Sequence, residues 1–134
     1  MRPLASPESS EPLRTLVIDD DEASTMSLVA YLKEIGFSAV GATSGESALA
    51  LAEASPPACV FLDLRMPRMS GVEVAMRLRR MFDGAITIIA MTGADSDAMD
   101  YKLMLSVADF VMTKPLDLER LKAMLSAGPD SPGE

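Results

Sequence analysis

The chain has 134 residues, enough for one substantial core and too few for two, with 20 acidic residues, 12 basic ones and no histidine. A net charge of −8 without any Lys/Arg-rich run excludes nonspecific nucleic-acid binding, which needs cations to displace phosphate counterions. The missing histidine excludes His-dependent triads, imidazole metal ligands and a phosphohistidine on this chain.

Residues 1–13, rich in Pro, Ser and Glu, read as a flexible tail that lacks the apolar stretch of a signal peptide. A first strand over 15–19, Leu16-Val17-Ile18, runs into Asp19-Asp20-Asp21. The helix after it, 22–35, carries Leu28, Leu32 and Ile35 at helical spacing and stops at Gly36. A short strand over 38–42 leads to a helix over 45–54, with Ser44 as N-cap and Pro56-Pro57 beyond its end. The third strand, 58–63, is the apolar run Ala58-Cys59-Val60-Phe61-Leu62, closed by Asp63 and followed by the turn Arg65-Met66-Pro67-Arg68-Met69-Ser70-Gly71. The lone cysteine, inside that run, reads as an inert core thiol.

The helix over 71–82 follows Ser70 and shows Val72, Val74, Ala75, Leu78 and Met81, with Arg77, Arg79 and Arg80 toward its solvent side. A fourth strand over 85–91 ends in Thr92-Gly93, and the helix over 96–106 shows no narrow apolar stripe. The fifth strand, 109–113, ends in Lys114-Pro115, and a helix over 118–126 follows Asp117 and buries Leu118, Leu121 and Leu125. Residues 127–134 read as a second flexible tail, leaving one domain over 14–126. Alternating strands and helices with right-handed crossovers predict an α/β, flavodoxin-like, doubly wound five-stranded parallel sheet of order 2-1-3-4-5 with five helices. No apolar run reaches the roughly 18 residues of a membrane span, so a soluble, cytoplasmic protein without membrane insertion is expected.

Ligands of an open parallel sheet bind outside the carboxyl ends of its strands, so Asp19, Asp20, Asp63, Thr92 and Lys114 should converge at one edge. A carboxylate there can attack a phosphoryl group to give an aspartyl phosphate, but the dianion is repelled unless a cation intervenes. Mg²⁺ favours oxygen ligands and is usually held by one or two carboxylates, which adjacent Asp19 and Asp20 suit. Asp21, third in the run, suits an N-cap of the first helix. Each residue also has a plainer reading: an acidic helix-capping cluster, a loop hydroxyl, a solvated lysine. Their joint placement argues against those.

Taken together, Ile18-Asp19-Asp20-Asp21, Leu62-Asp63-Leu64-Arg65-Met66-Pro67, Met91-Thr92-Gly93 and Thr113-Lys114-Pro115 resemble the receiver domain of two-component response regulators, across nearly all of 14–126. The resemblance implies that Asp63 accepts a phosphoryl group from a histidine kinase or histidine phosphotransfer protein in a Mg²⁺-dependent reaction. It implies Asp20 as a direct metal ligand, Asp19 in support, Asp63 as metal ligand as well as phosphoacceptor, and the Arg65 backbone carbonyl as the remaining protein ligand. It further implies that Lys114 pairs with Asp63 before reaction and with a phosphoryl oxygen afterwards, while the Thr92 hydroxyl bonds the phosphoryl group and draws its loop inward. Such a domain signals rather than turning over external substrates, and its downstream partner commonly docks on the face of the fourth helix, fifth strand and fifth helix. Lys114-Pro115 resembles the family's cis peptide, and Arg65 and Ala94, flanking the site, are candidates for controlling dephosphorylation.

The chain departs from the family three positions before Lys114, where Val111 replaces the usual aromatic residue and Phe110 lies one position earlier, on the opposite face of the strand. Either a bulge brings Phe110 into the switch position or switching proceeds without an aromatic rotamer. Met99, Met104 and Met112 gather around the fourth helix and fifth strand, as an adaptable partner surface or as filler of an aromatic-poor core. With no second domain after the fifth helix, the sequence reads as a stand-alone receiver. An alternative is a Mg²⁺-dependent phosphatase of the haloacid-dehalogenase type, since Asp19-Asp20-Asp21 also reads as Asp-x-Asp after a strand. Only about 20 residues follow Lys114, too few for that class's further acidic motif. A third reading is a pseudo-receiver that binds partners constitutively, although all five key side chains are present.

Overall fold

The computed structural model describes residues 13–93 and 97–127. Five strands, β1 (Arg14–Ile18), β2 (Ser38–Ala42), β3 (Cys59–Asp63), β4 (Thr87–Thr92) and β5 (Phe110–Thr113), alternate with helices α1 (Glu22–Glu34), α2 (Gly45–Ala54), α3 (Gly71–Phe82), α4 (Ala98–Val107) and α5 (Leu118–Ala127). All pairings are parallel, in the order β2-β1-β3-β4-β5. The predicted flavodoxin-like sheet is therefore the one observed.

Central strands buried on both faces are apolar through their middles, and β3 and β4 have no exposed position, with polar Asp63, Thr87 and Thr92 confined to their ends. Two cores result, one on each side of the sheet. Leu28 and Leu32 of α1 join Leu121 and Leu125 of α5 around Val17, Phe61 and Ile89. Ala48 and Ala52 of α2, Val74 and Leu78 of α3 and Met104 of α4 pack on Ile18, Leu62 and Ile88. Cys59 is buried, and burial pushes its thiol up to about 12, which makes it unreactive near neutrality.

The predicted caps are observed. The Asp21 carboxylate accepts from Ser24 N at 2.9 Å, Ser44 Oγ from Ser47 N at 3.2 Å, and Ser70 Oγ from Glu73 N at 3.3 Å. Gly36, at φ +105°, takes the left-handed conformation that ends α1. Asp117 Oδ1 accepts from Glu119 N and Arg120 N and so opens α5.

Several expectations need correction. Leu118 of α5 is exposed rather than buried, in the first turn of its helix. Arg79 does not face solvent freely: its guanidinium bonds the carbonyls of Val107, Asp83 and Ile86 at 2.8–2.9 Å and Asp109 Oδ2 at 2.7 Å. Asp109 also accepts from Ile88 N at 2.8 Å, so one ion pair ties α3, α4, β4 and β5 together. A 3-10 turn, Asp83–Ala85, replaces the start of the predicted fourth strand. Leu13, read as tail, has its carbonyl bonded by Ser38 N at 3.0 Å and packs against the α1/α5 core. The remaining tail residues, 1–12 and 128–134, and Ala94 lie outside the described residues.

Candidate functional site

The strand ends bring the predicted residues to one edge. In register, β1 pairs Ile18 with Leu62 of β3, β3 pairs Asp63 with Met91 of β4, and β4 pairs Thr92 with Thr113 of β5. Asp19, Asp63, Thr92 and Lys114 thus follow or close four adjacent strands at the same level. Asp19 and Asp63 are buried and Asp20 is exposed, yet each offers a carboxylate oxygen within 4.8 Å of those of the other two. That all-oxygen, triply anionic set fits a hard divalent cation such as Mg²⁺. Above it, Asp20, Asp63, Arg65, Gly93 and Lys114 are among the residues that line an open depression of about 580 Å³.

Local geometry fixes each group. Asp19 Oδ1 accepts from Asp21 N at 3.0 Å and its Oδ2 from Lys114 Nζ at 2.9 Å, while Thr25 Oγ1 bonds the Asp19 carbonyl at 2.8 Å. Behind Asp63, α3 begins unusually close: a Cβ on Gly71 would stand 2.2 Å from the Asp63 carbonyl oxygen and 2.8 Å from that of Leu64. Only glycine admits this approach, which also lets Gly71 N bond Leu64 O at 3.1 Å. Lys114-Pro115 is cis, as the resemblance implied, and Lys114 N bonds Thr92 O at 2.7 Å.

Lys114 lies 3.5 Å from Asp63 Oδ2, so the ammonium stands between both buried carboxylates and nearer to Asp19. The resemblance implied the pairing with Asp63, which is present, and the shorter bond to Asp19 stands beside it. Asp63 is pushed up to about 6, chiefly by burial and further by the charges of Asp19 and Asp20, against the opposing pull of Lys114 and the Arg65 backbone N–H. Burial works against the Lys114 ammonium, but its bond to Asp19 and the charges of both acids outweigh this and raise it above its ordinary value. Hydrogen bonds from Ser24 hold Asp21 below its ordinary value, consistent with a cap rather than a ligand. Thr92 is buried, and its hydroxyl points to Met112 O at 3.5 Å, across β4–β5.

On β5, Phe110 pairs with Ile89, Val111 with Ala90 and Met112 with Met91 in continuous register, without a bulge. Phe110 accordingly packs on the α1/α5 core and Val111 on the α4 side. The methionines do not form one surface: Met104 and Met112 are buried on opposite sides of the sheet, and Met99 is exposed.

Comparisons with known proteins agree with this fold. Residues 15–126 match the family profile of the response regulator receiver domain. The response regulator MprA of Mycobacterium sp. (strain KMS) is 38% identical over 130 residues, covering 90% of this chain and 56% of that protein. The alkaline phosphatase synthesis transcriptional regulatory protein PhoP of Bacillus subtilis (strain 168) is 34% identical over 118 residues, 85% of this chain and 47% of that protein. The chain thus spans about half the length of these relatives. A CheY-like receiver domain protein from Methanospirillum hungatei JF-1 superposes with a TM-score of 0.77 at 26% identity, covering 86% of this chain and 94% of that one. A receiver protein from Pseudomonas putida gives a TM-score of 0.74 at 29% identity, covering 84% and 93%.

Proposed function

The chain belongs to the response regulator receiver family, and on that premise we propose that Asp63 is its phosphoacceptor in a Mg²⁺-dependent transfer from a histidine kinase or histidine phosphotransfer protein. The observation that carries this reading is the meeting of Asp19, Asp20 and Asp63 beside the Lys114 ammonium at the mouth of the sheet. An Asp63 oxygen attacks the donor's phosphorus, the P–N bond to the imidazole breaks, and the released imidazole takes up a proton. Asp19, Asp20, Asp63 and the Arg65 carbonyl would hold the metal. Mg²⁺, when bound, supplies the positive charge that lets an anionic phosphoryl group approach three carboxylates. Lys114 then exchanges its carboxylate partners for a phosphoryl oxygen.

Thr92 acts as a switch: its hydroxyl leaves Met112 O and turns to the phosphoryl group, drawing the end of β4 inward and shifting α4. The continuous β5 register supports Val111, on the α4 side, as the residue that fills or vacates space behind Thr92, without an aromatic rotamer. The downstream partner docks on α4–β5–α5, where Met99, Leu103 and Leu105 are exposed. Output is phosphorylation-dependent binding of another protein, or relay of the phosphoryl group.

Incubation with Mg²⁺ and a histidine-phosphorylated kinase core, followed by borohydride reduction and peptide mapping, tests the assignment. Conversion of Asp63 alone to homoserine supports it, and labelling at any other carboxylate refutes it.

A further inference from the structure

We propose that the open edge of β2 is a self-association surface, on which a second copy of this chain pairs antiparallel to form one continuous sheet. Among the described residues, β2 has a strand on one side only. Ser38 N bonds Leu13 O and Ala42 O accepts from Asp19 N, so the even-numbered residues of β2 turn their backbone groups toward β1. The N–H and C=O of Ala39 and Gly41 therefore point outward along the free edge.

Exposed edges are usually guarded by lysine, proline or a bulge. Here the edge sequence, Ser38-Ala39-Val40-Gly41-Ala42-Thr43, has no charge and no proline, and Val40 at its centre is 52% exposed. Its spacing is self-complementary. With Val40 opposite Val40 of the partner copy, Ala39 faces Gly41 and Gly41 faces Ala39, and each such pair exchanges two N–H···O bonds.

The flanking helices select a second copy over an unrelated strand. A two-fold axis through Val40 perpendicular to the sheet keeps each helix layer on its own side and lays α1 antiparallel to its counterpart. The stripe of α1 beside the edge reads Glu22, Met26, Val29, Lys33, with Met26 64% exposed. Antiparallel alignment places apolar Met26 and Val29 at the centre and sets Glu22 of each copy against Lys33 of the other. On the opposite layer α2 offers uncharged Ser47 and Leu51 beside the edge. Since the axis reverses strand direction, the two Asp63 sites would open at opposite ends and both α4–β5–α5 faces would stay free. The pairing therefore requires no phosphoryl group and does not rest on the phosphoacceptor reading.

Sedimentation of the full 134-residue chain over a range of concentrations, with folding of each variant checked by circular dichroism, tests this. Wild type should dimerise reversibly, and Val40→Lys should be monomeric. Lys33→Glu should weaken the dimer about tenfold and the double exchange Glu22→Lys/Lys33→Glu should restore it. A wild type that stays monomeric overturns the proposal. So does a dimer that survives Val40→Lys, whether or not Leu103→Glu on α4 disperses it.

Discussion

Lys114 Nζ donates to Asp19 Oδ2 at 2.9 Å across 95 residues of chain, and this bond is where the fold and the candidate site depend on each other. Asp19 is 2% exposed, so its charge has little solvent to replace a lost cation. Lys114→Met should destabilise the metal-free protein by about 1–3 kcal/mol, below the range for a fully buried pair because the ammonium is partly solvated. The same change removes a competitor for the carboxylates, so Mg²⁺ should bind Lys114→Met more tightly than wild type by calorimetry. Weaker Mg²⁺ binding by the variant would show that Lys114 organises the acids rather than competing with the metal.

Asp63 carries the opposite consequence. Its folded-state value of about 6 lies above the ordinary 3.8, so the folded protein holds this proton more tightly than the unfolded chain. Between those values the unfolded chain ionises first, and stability falls as pH rises; above pH 6 the full destabilisation, about 2–3 kcal/mol, remains. Without Mg²⁺, Asp63→Asn should therefore raise the melting temperature at pH 7, with the gap closing near pH 4. A variant less stable than wild type at pH 7 would contradict the raised value.

Gly71 sets how closely α3 approaches Asp63. Gly71→Ala drives a methyl into the Asp63 and Leu64 carbonyls, and since backbone cannot yield as a side chain does, α3 must shift. A loss of about 2–4 kcal/mol in urea unfolding is expected, with slower phosphoryl uptake. Arg68 is the reverse case: it holds φ +67° on the same loop, where glycine is unstrained, so Arg68→Gly should stabilise by about 0.5–1 kcal/mol. A loss of stability in Arg68→Gly would mean that the arginine side chain makes a contact stronger than the strain it imposes.

Arg79→Met removes the donors to three carbonyls and to Asp109 at once. Destabilisation of about 2–4 kcal/mol is expected, from hydrogen bonds left unmade and a partly exposed ion pair. An unchanged urea midpoint would show that water replaces the guanidinium without loss.

Helices α2 and α3 were legible in the sequence to the residue, because Ser44 and Ser70 cap them and Gly45 and Gly71 begin them. The acids, Thr92 and Lys114 were legible as a group because each closes or follows an apolar strand, and parallel strands end on one edge. Contacts set by side-chain reach were not. Arg79 looks like one of three solvent-facing arginines, and only the three-dimensional approach of Val107 and Asp109 distinguishes it. Lys114 could be assigned to the edge, but which carboxylate lies nearer, Asp19 at 2.9 Å or Asp63 at 3.5 Å, depends on a small difference in distance that spacing does not encode. The scattered methionines likewise gave no periodic signal to separate buried Met104 from exposed Met99.

Asp63 is proposed above as the Mg²⁺-dependent phosphoacceptor. Intact mass spectrometry after incubation with Mg²⁺ and a small acyl phosphate tests it most directly, comparing wild type with Asp63→Ala. One base-labile phosphoryl group is expected on wild type, none on the variant, and none on either when Mg²⁺ is chelated. Uptake by Asp63→Ala, or uptake by wild type that survives chelation, would contradict it.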